Sequence, residues 1–262
     1  MFKQEKHFVL IHGGIHGAWC WYKVATDLKS AGHKVTALDM AACGTNPKQM
    51  QEVHSISEYH QPLMTFMESL PLEEKVVLVG HSLGGLSVSI AMENYPHKIF
   101  VAVFITATVV TQNLTYPAFL QERRRRVGSI LDKQNFIVNG PDKAPILSSN
   151  GLDLLASRMY QLSPSQDLTL ALSLVRPLPP FLSDADLLMK QTTVTNENNG
   201  MVPKIFIISE NDNLQTKDFQ EWIIETTGPY AKVKMIEGSD HMVMLSNPTK
   251  LSSELLNISY NY

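Results

Sequence analysis

A serine lies between two glycines, each two positions away, in the pentapeptide Gly80-His81-Ser82-Leu83-Gly84. An apolar, β-branched strand is predicted directly before it, at residues 76–79, and a helix is predicted directly after it, at about 85–94. A serine on so sharp a strand-to-helix turn needs a strained backbone, and flanking glycines avoid the clashes that larger side chains would cause. The pattern predicts that Ser82 is a nucleophile. The plainer alternative is a glycine-rich turn with a surface serine.

A serine hydroxyl is a weak nucleophile at neutral pH, so it needs a base and a carboxylate that orients the base. Of the nine histidines, His241 is the one that lies beyond His97. A predicted strand, Lys232–Ile236, comes shortly before it, and loops at the carboxyl ends of parallel strands are where such sheets carry their chemistry. We therefore expect His241 to be the base, with a packed or exposed loop residue as the alternative.

The carboxylate should follow the preceding predicted strand, Lys204–Ser209. Three acidic residues are available there: Glu210, Asp212 and Asp218. Asp212 is the preferred acid, because a loop position three residues beyond the strand can turn inward, and Glu210 is the fallback. Asp240 adjoins His241, but adjacent side chains usually point apart, so we do not expect it to orient the base.

A second glycine-containing loop, His12-Gly13-Gly14-Ile15-His16-Gly17, follows the first predicted strand. Hydrolysis through a tetrahedral intermediate needs backbone N–H donors that face the oxyanion. We expect these donors to be Leu83, the residue after the nucleophile, and Gly14. No carboxylate or cysteine accompanies His12 and His16 at a ligand spacing, so a metal site is not expected.

Strands and helices alternate along most of the chain, which predicts a parallel sheet covered by helices on both faces. The predicted strands are residues 8–11, 34–39, 75–79, 100–105, 204–209 and 232–236. Between about residues 111 and 195, prolines and short helices replace buried strands. We interpret the 262 residues as one domain with a helical cap inserted over the site.

Composition is that of an ordinary globular protein, with 44% hydrophobic and 18% charged residues. The net charge of -3 gives no general attraction to nucleic acid or to an anionic membrane. Four arginines in a row, at 123–126, could form a local anion site, but a solvated helix face is the preferred interpretation. The chain has only two cysteines, and its amino-terminal segment has no apolar core. It also has no apolar stretch of membrane-spanning length. These features favour a cytoplasmic protein.

With these segments placed, the chain resembles the plant methylesterase and hydroxynitrile lyase family of α/β-hydrolases over nearly its whole length. The resemblance is clearest in three segments: His7-Phe8-Val9-Leu10-Ile11-His12-Gly13-Gly14, residues 75–85 and Asp240-His241-Met242. Within the family it is similar to the salicylate and jasmonate methylesterases and, somewhat more closely, to esterases of the polyneuridine aldehyde type.

The resemblance implies an α/β-hydrolase fold, a small hydrophobic pocket under the cap, a small-molecule ester substrate, and neither metal nor cofactor. It assigns Ser82, Asp212 and His241 to the family's catalytic triad, and Gly14 and Leu83 to its oxyanion donors. It further places four residues at the substrate pocket: Gly13, His16, Ile130 and Met242. A homodimer is the assembly that it suggests.

The same resemblance also indicates whether this chain is an esterase or a hydroxynitrile lyase. Hydroxynitrile lyases of this family carry a threonine where this chain has Gly13 and a lysine where it has Met242. Without that cation the electrostatic reason for cyanide release is lost, so hydrolysis of a methyl ester is expected. An indole alkaloid ester whose acid then decarboxylates is the leading substrate. The alternatives are methyl salicylate or jasmonate, cyanohydrin cleavage, and a non-catalytic ligand receptor.

Overall fold

The computed structural model describes residues 5–128, 135–137, 145–179 and 185–261. The strands are β1 (His7–Ile11), β2 (Lys34–Leu38), β3 (Val76–His81), β4 (Ile99–Ile105), β5 (Phe136–Ile137), β6 (Ile146–Leu147), β7 (Lys204–Ser209) and β8 (Lys232–Ile236). Six of them form a parallel sheet in the order β2-β1-β3-β4-β7-β8, and β5 and β6 pair separately as an antiparallel hairpin.

The central strands are apolar along their whole length because helices cover both faces of the sheet. Every residue of β1, β3 and β7 is buried, as expected for a parallel sheet between two helical layers. Two clusters of buried hydrophobic side chains lie on opposite faces of the strands, so that Val9 and Ile11 of β1 belong to one and Phe8 and Leu10 to the other.

Ten α-helices lie within the described residues. They are α1 (Tyr22–Ser30), α2 (Ile56–Ser69), α3 (Gly84–Asn94), α4 (Tyr116–Val127), α5 (Ser149–Asp153), α6 (Ser165–Leu174), α7 (Ala185–Thr192), α8 (Lys217–Thr227), α9 (Val243–Ser246) and α10 (Pro248–Asn261). No helix in the described part of the chain is long and apolar enough to cross a membrane.

The strand order places the loops after β1 and β3 side by side. The chain runs from β1 outward to β2 and then returns to β3 on the other side of β1, so the order reverses between β1 and β3. A crevice opens at the carboxyl ends of the strands at such a switch point, and ligands bind there in open α/β sheets. The glycine-containing loop after β1 and the Ser82 turn after β3 border this crevice.

The prediction of a parallel sheet flanked by helices, with an α/β-hydrolase fold, is confirmed. Predicted strand ends agree with the structure to within two residues, and β7 and β8 agree at both ends. The segment between β4 and β7 contains α4 to α7 and also the β5–β6 hairpin. The sequence does not predict this hairpin, because strands of two residues are too short to show a period of alternation.

Candidate active site

Ser82 lies on a turn between β3 and α3 with a backbone φ of 51°, a left-handed conformation that is strained for a residue with a side chain. Its two flanking glycines have no room for a methyl group. A Cβ on Gly80 would lie 2.7 Å from Val88 Cγ2, and one on Gly84 would lie 2.6 Å from the carbonyl oxygens of His12 and Ile11. The strain and the small neighbours predicted from the pentapeptide are therefore present.

Three side chains from separate loops form one hydrogen-bonded chain. His241 Nε2 lies 3.1 Å from Ser82 Oγ, and His241 Nδ1 lies 2.7 Å from Asp212 Oδ2. Because an ionised carboxylate can only accept, Nδ1 carries the proton, which leaves Nε2 free to accept the serine proton. The structure thus brings together Ser82, Asp212 and His241, which are up to 159 residues apart in sequence.

Asp212 is buried, with 3% of its surface exposed. Oδ1 accepts from the backbone N–H groups of Leu214 and Gln215 at 2.7 and 2.8 Å. Oδ2 accepts from the Thr106 hydroxyl at 2.5 Å and from His241 Nδ1. Four donors fix the carboxylate in one orientation, which in turn fixes the plane of the imidazole.

The other acidic residues point elsewhere. Glu210 accepts from the backbone N–H of Gly238, and Asp218 accepts from the Thr216 hydroxyl at the start of α8. Asp240, although adjacent to His241, accepts from Leu162 N–H and Ser163 Oγ at 2.9 Å each. It therefore connects the His241 loop to the segment inserted after β4.

The loop after β1 presents backbone groups to the same crevice. Gly14 and Leu83 line one cavity together with Ser82. His12 Nδ1 lies 2.7 Å from the Gly13 carbonyl oxygen, and its Nε2 accepts from Met40 N–H, so Nδ1 is the donor. The Gly13 carbonyl and the Gly14 N–H belong to one trans peptide and point in opposite directions. By holding that carbonyl, His12 orients the Gly14 N–H.

His16 holds the next peptide of the loop. Its Nδ1 donates to the Gly14 carbonyl at 2.8 Å, and its Nε2 accepts from the Tyr160 hydroxyl at 2.7 Å. Burial lowers the pKa of His16 to about 3 and lowers that of His12 as well. Both rings are therefore neutral near pH 7, which is the form that these hydrogen bonds require.

The cavity beside Ser82 has a volume of about 120 Å³, which suits a small molecule. Apolar side chains make up most of its wall. Its lining residues are Gly14, Ile15, Ser82, Leu83, Thr108, Tyr116, Phe119, Leu120, Arg123, Asn135, Leu154, Met159, Leu178, Leu214 and Gln215.

Three residues predicted at the pocket are not among those that line it. His16 is fully buried against Tyr160, and Met242 is fully buried in the hydrophobic cluster that contains Phe8 and Leu10. Gly13 lies behind the nucleophile, where an added Cβ would be 2.9 Å from Ser82 Cβ. The fourth predicted pocket residue, Ile130, lies outside the described residues.

The sequence patterns do not predict a role at the site for Thr106 or His81. Thr106 is the polar residue directly after β4, and its position at the carboxyl end of a strand beside β7 was the available signal. His81 Nε2 donates to the His241 carbonyl at 2.7 Å, and the two rings are 4.8 Å apart. Burial lowers the pKa of His81 well below its ordinary value, so the ring that bonds the His241 carbonyl is uncharged.

Comparisons with known proteins identify the family of the chain. A family model described as the alpha/beta hydrolase family matches residues 8–254. Methyl jasmonate esterase 1 of Vitis vinifera is 49% identical, and the alignment covers 100% of both chains. Polyneuridine aldehyde esterase of Rauvolfia serpentina is 43% identical over 98% of this chain and 97% of its own.

A crystal structure of polyneuridine aldehyde esterase superposes with a TM-score of 0.88 at 41% identity, covering 98% of this chain and 100% of the other. The expected closer likeness to this type is wrong, because identity to the jasmonate esterase is higher. The expected family itself is confirmed. The chain belongs to the α/β-hydrolase family, and within it to the plant methylesterase type of carboxylic ester hydrolase.

Proposed function

We propose that this protein hydrolyses the methyl ester of a small plant metabolite, with Ser82 as nucleophile, His241 as general base and Asp212 as the residue that orients it. The hydrogen-bonded chain Ser82–His241–Asp212, with spacings of 3.1 and 2.7 Å, carries the proposal. His241 Nε2 removes the Ser82 proton as Oγ bonds to the ester carbonyl carbon. The resulting imidazolium is stabilised by the fixed Asp212 carboxylate.

The oxyanion of the tetrahedral intermediate is stabilised by the N–H groups of Gly14 and Leu83. Leu83 lies at the amino terminus of the buried helix α3, where the helix dipole adds positive potential. His241 then gives its proton to the departing methanol, which leaves an acyl group on Ser82. A water molecule that loses its proton to His241 hydrolyses the acyl-enzyme and releases the acid.

The names of the relatives suggest two kinds of ester substrate. We propose that methyl jasmonate is one to test first, given the 49% identity to methyl jasmonate esterase 1. A methyl ester with a carbonyl group β to the ester, as in the alkaloid substrate, is the second candidate, supported by the likeness to polyneuridine aldehyde esterase. The acid released from such an ester can lose carbon dioxide without further catalysis, so demethylation and decarboxylation would be seen together.

A panel of methyl esters assayed with wild type and Ser82→Ala tests the hydrolysis, and labelling with a fluorophosphonate probe tests the nucleophile. We expect methanol release and labelling by wild type and neither by Ser82→Ala. Wild type that stays unlabelled and hydrolyses no ester would contradict the proposal and favour a ligand receptor. Cyanide release from mandelonitrile would instead indicate lyase activity, which Gly13 and Met242 disfavour.

A further inference from the structure

Helix α4 carries four consecutive arginines, at 123–126, and they do not share one environment. Arg125 and Arg126 both donate to Glu122 at distances of 2.5 to 2.9 Å, and Arg126 also reaches Asp218 at 3.4 Å. Arg124 is exposed. These three fit the solvated helix face expected from the sequence. Arg123 does not.

Arg123 lies on the face of α4 that faces the cavity. Residues at positions i, i+3, i+4 and i+7 share one face of a helix. Tyr116, Phe119, Leu120 and Arg123 have this spacing, and all four line the cavity that contains Ser82. The first three are aromatic or aliphatic, so Arg123 brings a guanidinium into a mostly apolar wall.

Within the described part of the chain, the Arg123 guanidinium has neither a hydrogen bond nor an ion pair. Burial lowers its pKa from the ordinary value, and the nearby Tyr116 hydroxyl and Asp212 carboxylate act in the opposite direction. Asp212 is not available as a partner, since its two oxygens already accept four hydrogen bonds. A partly buried cation without a partner is costly unless a ligand supplies one.

A second polar group of the same cavity also lacks a partner. Gln215 is 2% exposed, and its side-chain Oε1 is buried without a hydrogen bond among the described residues. Its backbone is fixed, because Gln215 N–H donates to Asp212 and its carbonyl accepts from Gln220. A primary amide so placed can present either donors or an acceptor to a ligand.

We propose that Arg123 and Gln215 form a subsite that binds a second oxygen-bearing group of the substrate, a ketone or a carboxylate remote from the scissile ester. The proposal rests on the proposed esterase function and names the substrate class: methyl esters that carry a further carbonyl-type oxygen. Arg123 offers two parallel N–H donors to such an oxygen or to both oxygens of a carboxylate. It acts in recognition and takes no part in bond making.

Three esters with chains of equal length test the subsite. Methyl hexanoate has no second oxygen group, methyl 5-oxohexanoate adds a ketone, and monomethyl adipate adds a terminal carboxylate. We expect wild type to have a higher kcat/KM for one or both oxygen-bearing esters than for methyl hexanoate. Arg123→Met should lower that preference about 10- to 100-fold, the range for a hydrogen bond to a charged donor. Comparing the two oxygen-bearing esters shows whether a ketone or a carboxylate is the better partner.

The control is Arg125→Met, which removes the same charge from the exposed side of the same helix and should leave the preference unchanged. Arg123→Lys keeps the charge but loses the planar fork, so it should restore only part of the preference. Binding of the two oxygen-bearing esters to Ser82→Ala, measured by calorimetry, should be weakened by adding Arg123→Met. This readout does not depend on turnover.

Failure of the subsite and failure of the esterase proposal give different results. Hydrolysis of all three esters at ratios that Arg123→Met leaves within twofold, with unchanged binding to Ser82→Ala, would overturn the subsite alone. Absence of hydrolysis of every ester by wild type would instead contradict the esterase. The decisive quantity is the ratio of kcat/KM for two esters, measured with one enzyme preparation. A misfolded fraction lowers both values equally and does not change this ratio.

Discussion

The Thr106 hydroxyl donates a 2.5 Å hydrogen bond to Asp212 Oδ2, the same oxygen that faces His241 Nδ1 at 2.7 Å. Thr106 follows β4, and Asp212 follows the neighbouring strand β7, so adjacent strands position donor and acceptor. The bond restricts rotation of the carboxylate and therefore of the imidazole that it orients. Thr106 acts on the chemistry as a positioning residue.

Thr106→Val should lower kcat about tenfold with little change in KM, since it removes one hydrogen bond to a charged acceptor without altering side-chain shape. Valine keeps the branching at Cβ, which matters because Thr106 has a φ of 38°. Thr106→Ser retains the hydroxyl and should recover most of the lost kcat. Equal kcat for wild type and Thr106→Val in steady-state assays would show that the hydroxyl has no such role.

The left-handed backbone conformation at Ser82 should affect the free energy of unfolding of variants at this position. Glycine adopts a φ of 51° without steric cost, whereas alanine does not. We expect the free energy of unfolding of Ser82→Gly to exceed that of Ser82→Ala by about 1 kcal/mol in urea titrations. Ser87, inside helix α3, provides the control: there Gly should be less stable than Ala by about 1 kcal/mol. The same sign at both positions would argue against strain at Ser82.

Gly13→Ala should lower kcat/KM at least about tenfold, because displacing a nucleophile by a fraction of an ångström disrupts its alignment with the substrate. The added Cβ would lie 2.9 Å from both Ser82 Cβ and His81 Nδ1, closer than such contacts normally come. Gly200→Ala is the matched control, with its nearest contact at 3.4 Å from the Asn196 side chain. Unchanged activity and an unchanged rate of fluorophosphonate labelling in Gly13→Ala would refute the steric argument.

Buried neutral histidines should make the protein sensitive to acid. Burial lowers the pKa of His12, His16, His60 and His81, in His16 and His60 to about 3. The unfolded chain, whose histidines titrate near 6.5, binds protons that the folded chain does not. The free energy of unfolding should therefore fall as the pH decreases from about 6.5 toward 3, by up to about 1.4 kcal/mol per pH unit for each such histidine.

His60 allows this to be checked away from the site. It contacts Ser87 at 2.7 Å and does not line the Ser82 cavity. The double variant His60→Leu, Ser87→Ala removes the pair together and should make unfolding free energy less steep between pH 4 and 6, by about 1 kcal/mol per pH unit. Denaturant titrations across this range measure the slope. An unchanged slope would mean that His60 does not titrate as proposed.

Local sequence is enough to predict what depends on neighbouring residues. The Ser82 turn, its two glycines and the buried strands can be located from the order of residue types within short segments of the chain. Asp212 and His241 can be predicted as well, because parallel strands deliver the loops that follow them to one edge of the sheet. The choice between Glu210 and Asp212 needs the tertiary structure, in which Asp212 bonds His241 and Glu210 bonds Gly238.

Tertiary structure decided what depends on packing between distant segments. The Thr106–Asp212 bond joins residues 106 positions apart, and no local pattern predicts such a bond. The pocket differs most from expectation: Met242 and His16 are buried behind the site, whereas Arg123, one of four similar arginines, lines the cavity. Which face of α4 meets the cavity is set by how this helix packs against α7 and α8. A run of identical residues carries no information about that orientation.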